Sequence, residues 1–318
     1  NVTINATGGY SAPGIGSGRD GELYGLVINS GNIHATGGKY APGIGAGDAV
    51  GTSGGGTMHS LTINGGTITA IGGYKAAGIG GSEGGSTGSI TITGGIITAT
   101  GGEEGAGIGG GSGGDATSIG ISGGTITATG GANGAGIGGG KGANSGEITI
   151  AEGSPATLSI TATGGINGAG IGSAGHDSDK IAITLDGGTI TATGGDSGAG
   201  IGAGNADAGL IDIQGAGTIW AKGGKQGCGI GAGEDSTAIG ITIKGTSRQL
   251  TVNAEALTVV PTDGTSPLFY ANKNAAIGSG RTECGPITIS NAVVNAAANG
   301  YGADIGGGYN HGWNPASV

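Results

Sequence analysis

Sulfur and large rings are almost missing from this 318-residue chain, which has two Cys, one Met, one Phe, two Trp and seven Tyr. So few bulky side chains cannot fill the wide core of an ordinary globular domain of this length. Two thiols, Cys228 and Cys284, are too few for a disulfide framework. Cys228 stands where the repeats described below carry Ala, which reads as a buried thiol, with a Cys228–Cys284 bridge as the alternative. Charge is scarce too: 10% of residues, with a net charge of −10. That balance leaves no basic stripe to neutralise phosphates and excludes nucleic acid as a partner. No apolar run approaches the roughly 20 residues that a membrane-spanning helix needs. The four His (His34, His59, His176 and His311) are scattered without zinc-ligand spacing, and no metal site is assigned to them.

What the chain has instead is glycine, 86 residues of it, and with Pro these make about 29% of the sequence. Without a period such a composition reads as low complexity, and with one it reads as a repeat architecture. The period is present. Gly-Ala-Gly-Ile-Gly-Gly-Gly occurs at Gly105–Gly111 and again at Gly134–Gly140, with edited copies around Ile44, Ile79, Ile171, Ile201 and Ile230. The central isoleucines from Ile15 to Ile305 are spaced by 29, 35, 29, 29, 34, 30, 29, 47 and 28 residues. A clean unit, Ser118 to Gly138, holds three short β-branched or alternating runs, each closed by glycines, and no helical pattern appears anywhere.

Three strands per unit and glycine corners describe one coil of a solenoid. The expected fold is all-β, a right-handed parallel β-helix of about ten triangular coils of about 29 residues, forming a single domain over 1–318. Ile68, Ile97, Ile126, Ile160, Ile190 and Ile219 should stack as one inner column, with Ala70, Ala99, Ala128, Ala162 and Ala192 beside it. Longer steps mark loops that leave the rod, at 48–60, at 141–157 and, largest, at about 244–273. The chain opens inside a repeat and ends without a polar cap, which reads as a part excised from a longer protein. If the glycine-rich run is extended, Ala106 and Ile108 face inward and the glycines outward. That bare wall would accept a flat partner, a folded-back loop or a neighbouring rod, and so allows lateral self-association.

The coil pattern resembles the right-handed β-helix superfamily that includes pectate lyases and several polysaccharide-binding proteins. Units such as Gly123-Gly124-Thr125-Ile126-Thr127-Ala128-Thr129-Gly130-Gly131 look like repeats of large surface proteins of Gram-positive bacteria, commonly labelled carbohydrate-binding or adhesive. The resemblance spans essentially the whole chain. It implies the fold and an extracellular or cell-surface setting, and it transfers no catalytic motif.

Two outward features could carry function. With Ile and Ala inside, the second strand turns out Thr67, Thr69, Thr98, Thr100, Thr125, Thr127, Thr129, Thr161, Thr163, Thr189, Thr191 and Thr193. This hydroxyl and methyl lattice is similar to the ice-binding face of β-solenoid antifreeze proteins, although Thr ladders also simply stabilise stacked strands. The corners of the first three coils carry Tyr10, Lys39, Tyr40, Tyr74 and Lys75, a strip for the apolar faces of sugar rings with lysines for uronate or sialate carboxylates. Trp220 and the Phe269–Tyr270 pair are further sugar platforms.

Acid–base catalysis needs two spaced carboxylates. Glu103 with Glu104, Asp177 with Asp179, and Glu234 with Asp235 are adjacent or nearly so and read as solvated charge. Gly110–Asp115 looks like a single calcium-binding nonapeptide, which leaves calcium as an open cofactor and no other cofactor expected. The expected function is a non-enzymatic solenoid that binds an extended polysaccharide or host glycan, or mediates adhesion, at a bacterial surface. Ice binding and polysaccharide cleavage are the alternatives.

Overall fold

A strand of alternating Thr and Ile has one face that must leave water, and a single coil cannot bury it alone. In the computed structural model the chain solves this by winding its strands into parallel stacks. The structure describes residues 2–48, 56–143, 146–153, 158–174, 182–233, 236–257, 274–280, 283–299 and 302–307. Among these there is no helix, and strand pairs with their equivalents in the coils above and below. In one coil, Ser86–Ile92, Ile96–Thr100 and Ile108–Gly109 form the three sides. The third side is a sheet of ten Ile-Gly strands from Ile15–Ser17 to Ile305–Gly306, so the rod completes about nine turns between them.

Register is kept residue by residue along most of the ladder, with a shift between Gly215 and Gly217. Ile97 lies between Ile68 and Ile126, and Ala99 between Ala70 and Ala128. The inner columns are buried, with Ile33, Ile68, Ile97, Ile126, Ile160, Ile190, Ile219 and Val252 on one side of the triangle and Ile44 through Ile277 on the other. Each such side chain contributes about 1.5–3 kcal/mol through removal of apolar surface from water. Cys228 occupies the Ala position of its coil and is fully buried, with its thiol pushed up by desolvation; Cys284 is part-buried and both are free.

The glycine wall is not what a period of two suggests. Only Ile and the following Gly are strand in most copies, with one residue more at Ile15–Ser17 and Ile44–Ala46. Before them the chain makes a tight turn whose tip is the variable corner pair, closed by Gly105 N–H donating to Gly102 O at 3.0 Å. After them it folds back so that Ala106 N–H donates to Gly110 O at 2.9 Å. Gly105, Gly107 and Gly109 are buried rather than bare. A Cβ on Gly107 would fall 2.6 Å from Gly136 O and 2.7 Å from Thr129 N, so what lies against the wall is the chain's own backbone. Gly109 also has φ +132°, a conformation that side chains rarely adopt.

The expected loops are shorter than the spacing suggests. Thr57–Ile63 and Glu147–Ala151 lie in the ladder, so they are strand and not loop. Within 244–273, Leu250–Ala256 pairs on both sides, with Gly217–Lys222 and with Ala292–Ala298, so this part is not inserted chain. The remainder, 258–273, lies outside the described residues.

Among the described residues, Thr87 is an inner position on the long strands that breaks the apolar pattern. Thr87 lies between Met58 and Ala116 in an inner column, fully buried, and its hydroxyl has no hydrogen-bond partner. Thr87→Val keeps the shape and removes the unpaired hydroxyl, so it should stabilise the fold by about 1 kcal/mol. Urea unfolding compared between the two proteins reads this directly, and a destabilised variant would show that the hydroxyl is partnered.

Candidate functional site

The turn tips line one edge of the rod. Among the described residues eight such turns, from Gly9–Ala12 to Gly224–Gly227, stack, and six tips donate a backbone N–H to the tip before, as Tyr40 does to Tyr10 O at 3.3 Å and Gln226 to Asp196 O at 2.7 Å; Tyr40 O instead accepts from Glu83 N–H at 3.4 Å. The side chains on this edge form pairs: Glu104 with Lys141, Asn133 with Asn167, and Asp196 with Lys225. Tyr10, Lys39, Tyr40, Tyr74 and Lys75 share the first part of the edge, as their spacing implies. Their geometry is not that of a flat strip. The Tyr10 and Tyr40 rings meet edge to face, 5.2 Å apart at 81°, and Lys39 Nζ sits 5.8 and 5.1 Å from the two ring centres. The Tyr40 phenol is held below its ordinary value, first by its hydrogen bond with Tyr10 and then by Lys39. Lys75 is already paired with Glu83 at 2.5 Å, so it is not a waiting cation for a sugar acid.

The second strand presents the broader face. Its alternation is as the sequence implies: in Thr125–Thr129 the two inner residues are buried and the three threonines exposed. The outward residues stack into three columns. The middle one runs His34, Thr69, Thr98, Thr127, Thr161 and Thr191, then changes chemistry to Trp220, Asn253 and Asn295. One neighbour holds Thr67, Thr125 and Thr189, interrupted by Ile96 and Ser159; the other holds Thr36, then Ile71, then Thr100, Thr129, Thr163 and Thr193, followed by Lys222 and Glu255.

Where Thr gives way to Trp and Asn, a shallow groove of about 870 Å³ lies over the face. Trp220 is in it because Ile219 and Ala221 on either side point into the core, which forces the indole outward and leaves it 54% exposed. Asn295 Nδ2 donates to Asn253 Oδ1 at 2.9 Å, and Asn253 Nδ2 donates to Ile219 O at 3.4 Å, so the first amide is anchored to the backbone and orients the second. Lys222 Nζ and Glu255 Oε2 face each other at 3.8 Å beside them. Among the residues lining the groove, Glu255 is the one carboxylate.

The other expected residues are dispersed. Glu103 is exposed while Glu104 is buried and ion-paired, so they do not form a spaced acid pair. Phe269, Tyr270, Asp177, Asp179, Glu234 and Asp235 lie outside the described residues. Among the described residues no three His, Cys, Asp or Glu side chains gather as a metal would require. The Gly110–Asp115 stretch folds into a turn in which Gly111 N–H donates to Gly114 O at 3.0 Å. Sequence reasoning missed Tyr24, which is 75% exposed and stacks on His59 with ring centres 4.9 Å apart and 7° between planes. It also missed Asn253 and Asn295, whose only signal was the break in the Thr column.

Seven stretches, 3–19, 26–48, 61–85, 90–112, 119–141, 183–205 and 211–234, match the family model described as beta helix repeat. Neither a curated protein nor a solved structure matches the chain.

The Glu104 pair makes a pH prediction. Burial pushes this carboxyl up, but hydrogen bonds from Lys141 and Ser112 outweigh it and hold the net value below the usual carboxylate range. A lowered folded value means that the stabilisation is present above the unfolded value, about 4.3, and is lost as pH falls through the folded one. Thermal unfolding between neutral and acidic pH should therefore fall less steeply in Glu104→Gln than in the parent; equal slopes would exclude this group.

Proposed function

We propose, from its being a parallel β-helix repeat protein, that the chain is a non-enzymatic extracellular rod that binds an extended polysaccharide in the groove around Trp220. The observation that carries the reading is the indole itself, which a strand of Ile and Ala holds out over the sheet beside two oriented amides. The C–H face of a pyranose ring stacks on such a surface, and its hydroxyls exchange hydrogen bonds with amide groups. The lining comes from four successive coils, from Thr191 to Asn295. At about 4.8 Å per coil this is a track of about 14 Å along the rod, suited to a linear ligand rather than a single sugar. A hydrolase would need a second carboxylate across the scissile bond, and the described lining supplies Glu255 alone. The setting we propose is a bacterial cell surface, where a rod with a shallow, open site serves adhesion through many weak contacts.

A buried or half-buried aromatic anchor dominates such a site, so Trp220→Ala should weaken glycan binding at least about tenfold. Titration against a panel of soluble polysaccharides, with circular dichroism confirming the fold, measures it; unchanged affinity would remove the groove from the function.

A second reading rests on the Thr columns, which stay in register from Thr69 through Thr191 in the middle column. A regular lattice of hydroxyl and methyl groups suits an ice surface. On that reading the protein gives thermal hysteresis, and Thr127→Lys abolishes it; no hysteresis at high protein concentration discards ice binding.

A further inference from the structure

We infer that the Lys222–Glu255 pair makes the groove selective for uncharged linear glycans. The inference rests on the reading of the groove as a glycan site and adds the class of polymer it accepts.

The groove holds one cation and one anion, and they neutralise each other. Lys222 Nζ stands 3.8 Å from Glu255 Oε2, in adjacent coils of the same outward column. Glu255 is held from the other side as well, by Asn299 Nδ2 at 3.4 Å from Oε1. The pair is about half exposed, 44% and 45%, so it lies on the surface a ligand would cover and its charge state faces the ligand. Around it the lining is uncharged, and the polar groups that face a ligand from the middle column are amide and hydroxyl.

A uronic acid polymer entering this groove meets no free cation. Its carboxylates would compete with Glu255 for Lys222, and they approach a molecule whose net charge is −10. Like-charge repulsion of that kind acts over about 10 Å at moderate salt. A neutral chain meets neither obstacle. It uses the indole for its ring faces and the outer amide for its hydroxyls: Asn295 keeps one N–H and its carbonyl oxygen, because its other N–H goes to Asn253. Selectivity then comes from a built-in anion that occupies the cation, a repulsive element rather than an added attraction.

The test compares the parent, Glu255→Gln, and the double variant with Lys222→Gln, each titrated with xylan oligosaccharides as the neutral probe and oligogalacturonates of matched length as the acidic probe. The parent should prefer the neutral probe by at least about threefold at low salt. Glu255→Gln keeps the acceptor for Asn299 but frees Lys222, so affinity for the acidic probe should rise at least about threefold while the neutral probe changes less than about twofold. The gain should vanish in the double variant and be screened at high salt. A parent that binds the acidic probe as well as the neutral one, or a Glu255→Gln protein with an unchanged ratio, overturns the selectivity while leaving the glycan site standing. Binding of neither probe by any of the proteins, with Trp220→Ala indistinguishable from the parent across a wider polysaccharide panel, overturns the glycan reading and the selectivity with it.

Discussion

At the turn necks of the described coils, backbone lies on backbone with room for nothing larger than a hydrogen atom between them at the positions of Gly101 and Gly107. The neck of every turn brings the chain back against itself and against the coil below, and Gly101, Gly105 and Gly107 fill the positions where a Cβ would collide with carbonyl oxygens or amide nitrogens. The rest of the structure follows from this closeness. It sets the length of the coil, and it brings the N–H of a turn tip to the carbonyl of the tip before it. It also keeps the three sides near enough for a core of single Ile and Ala columns to fill the interior. A wider corner would need a larger core, and the sequence has no large side chains to build one.

Because corners and core are fixed, chemistry can vary only on the outward positions of the strands and on the turn tips. Two different surfaces result. The tip edge is a row of satisfied pairs, such as Lys75 with Glu83 and Lys225 with Asp196, that offers little unused bonding capacity. The second-strand face is regular and mild along the Thr columns and changes character at Trp220, where bulk, amides and a charge pair come together in adjoining coils. The site is thus a local departure from a lattice.

Much of the fold can be read from the sequence because each side-chain column repeats with the coil. The Ile and Ala columns and the outward threonines sit where a period of two and a repeat of about 29 residues put them. The glycine run was misleading because a period of two applies only to extended chain, and in Gly105–Gly111 just Ile108 and Gly109 are extended. Loop ends are obscured where alternation lies within low-complexity sequence, as at Glu147–Ala151. The groove was harder to see. Trp220, Asn253 and Asn295 are neighbours only because the steps between their coils are irregular, 33 and 42 residues, and no fixed period aligns them. Spacing puts the tyrosines on one edge, but whether two rings share a plane is set by rotamers and by neighbours such as Lys39, which spacing does not encode.

The stacked turn tips have one more consequence. Their conformation is held by glycines and main-chain hydrogen bonds, and at most tips the two residues contribute exposed or half-buried side chains rather than core packing, the buried Glu104 being an exception. Foldability and surface identity are therefore written in separate letters of the same repeat. Copying a coil lengthens the rod and adds two freely rewritable positions in one event, so a lineage of such proteins can explore new surfaces by duplication and drift while the interior stays under the same strict selection.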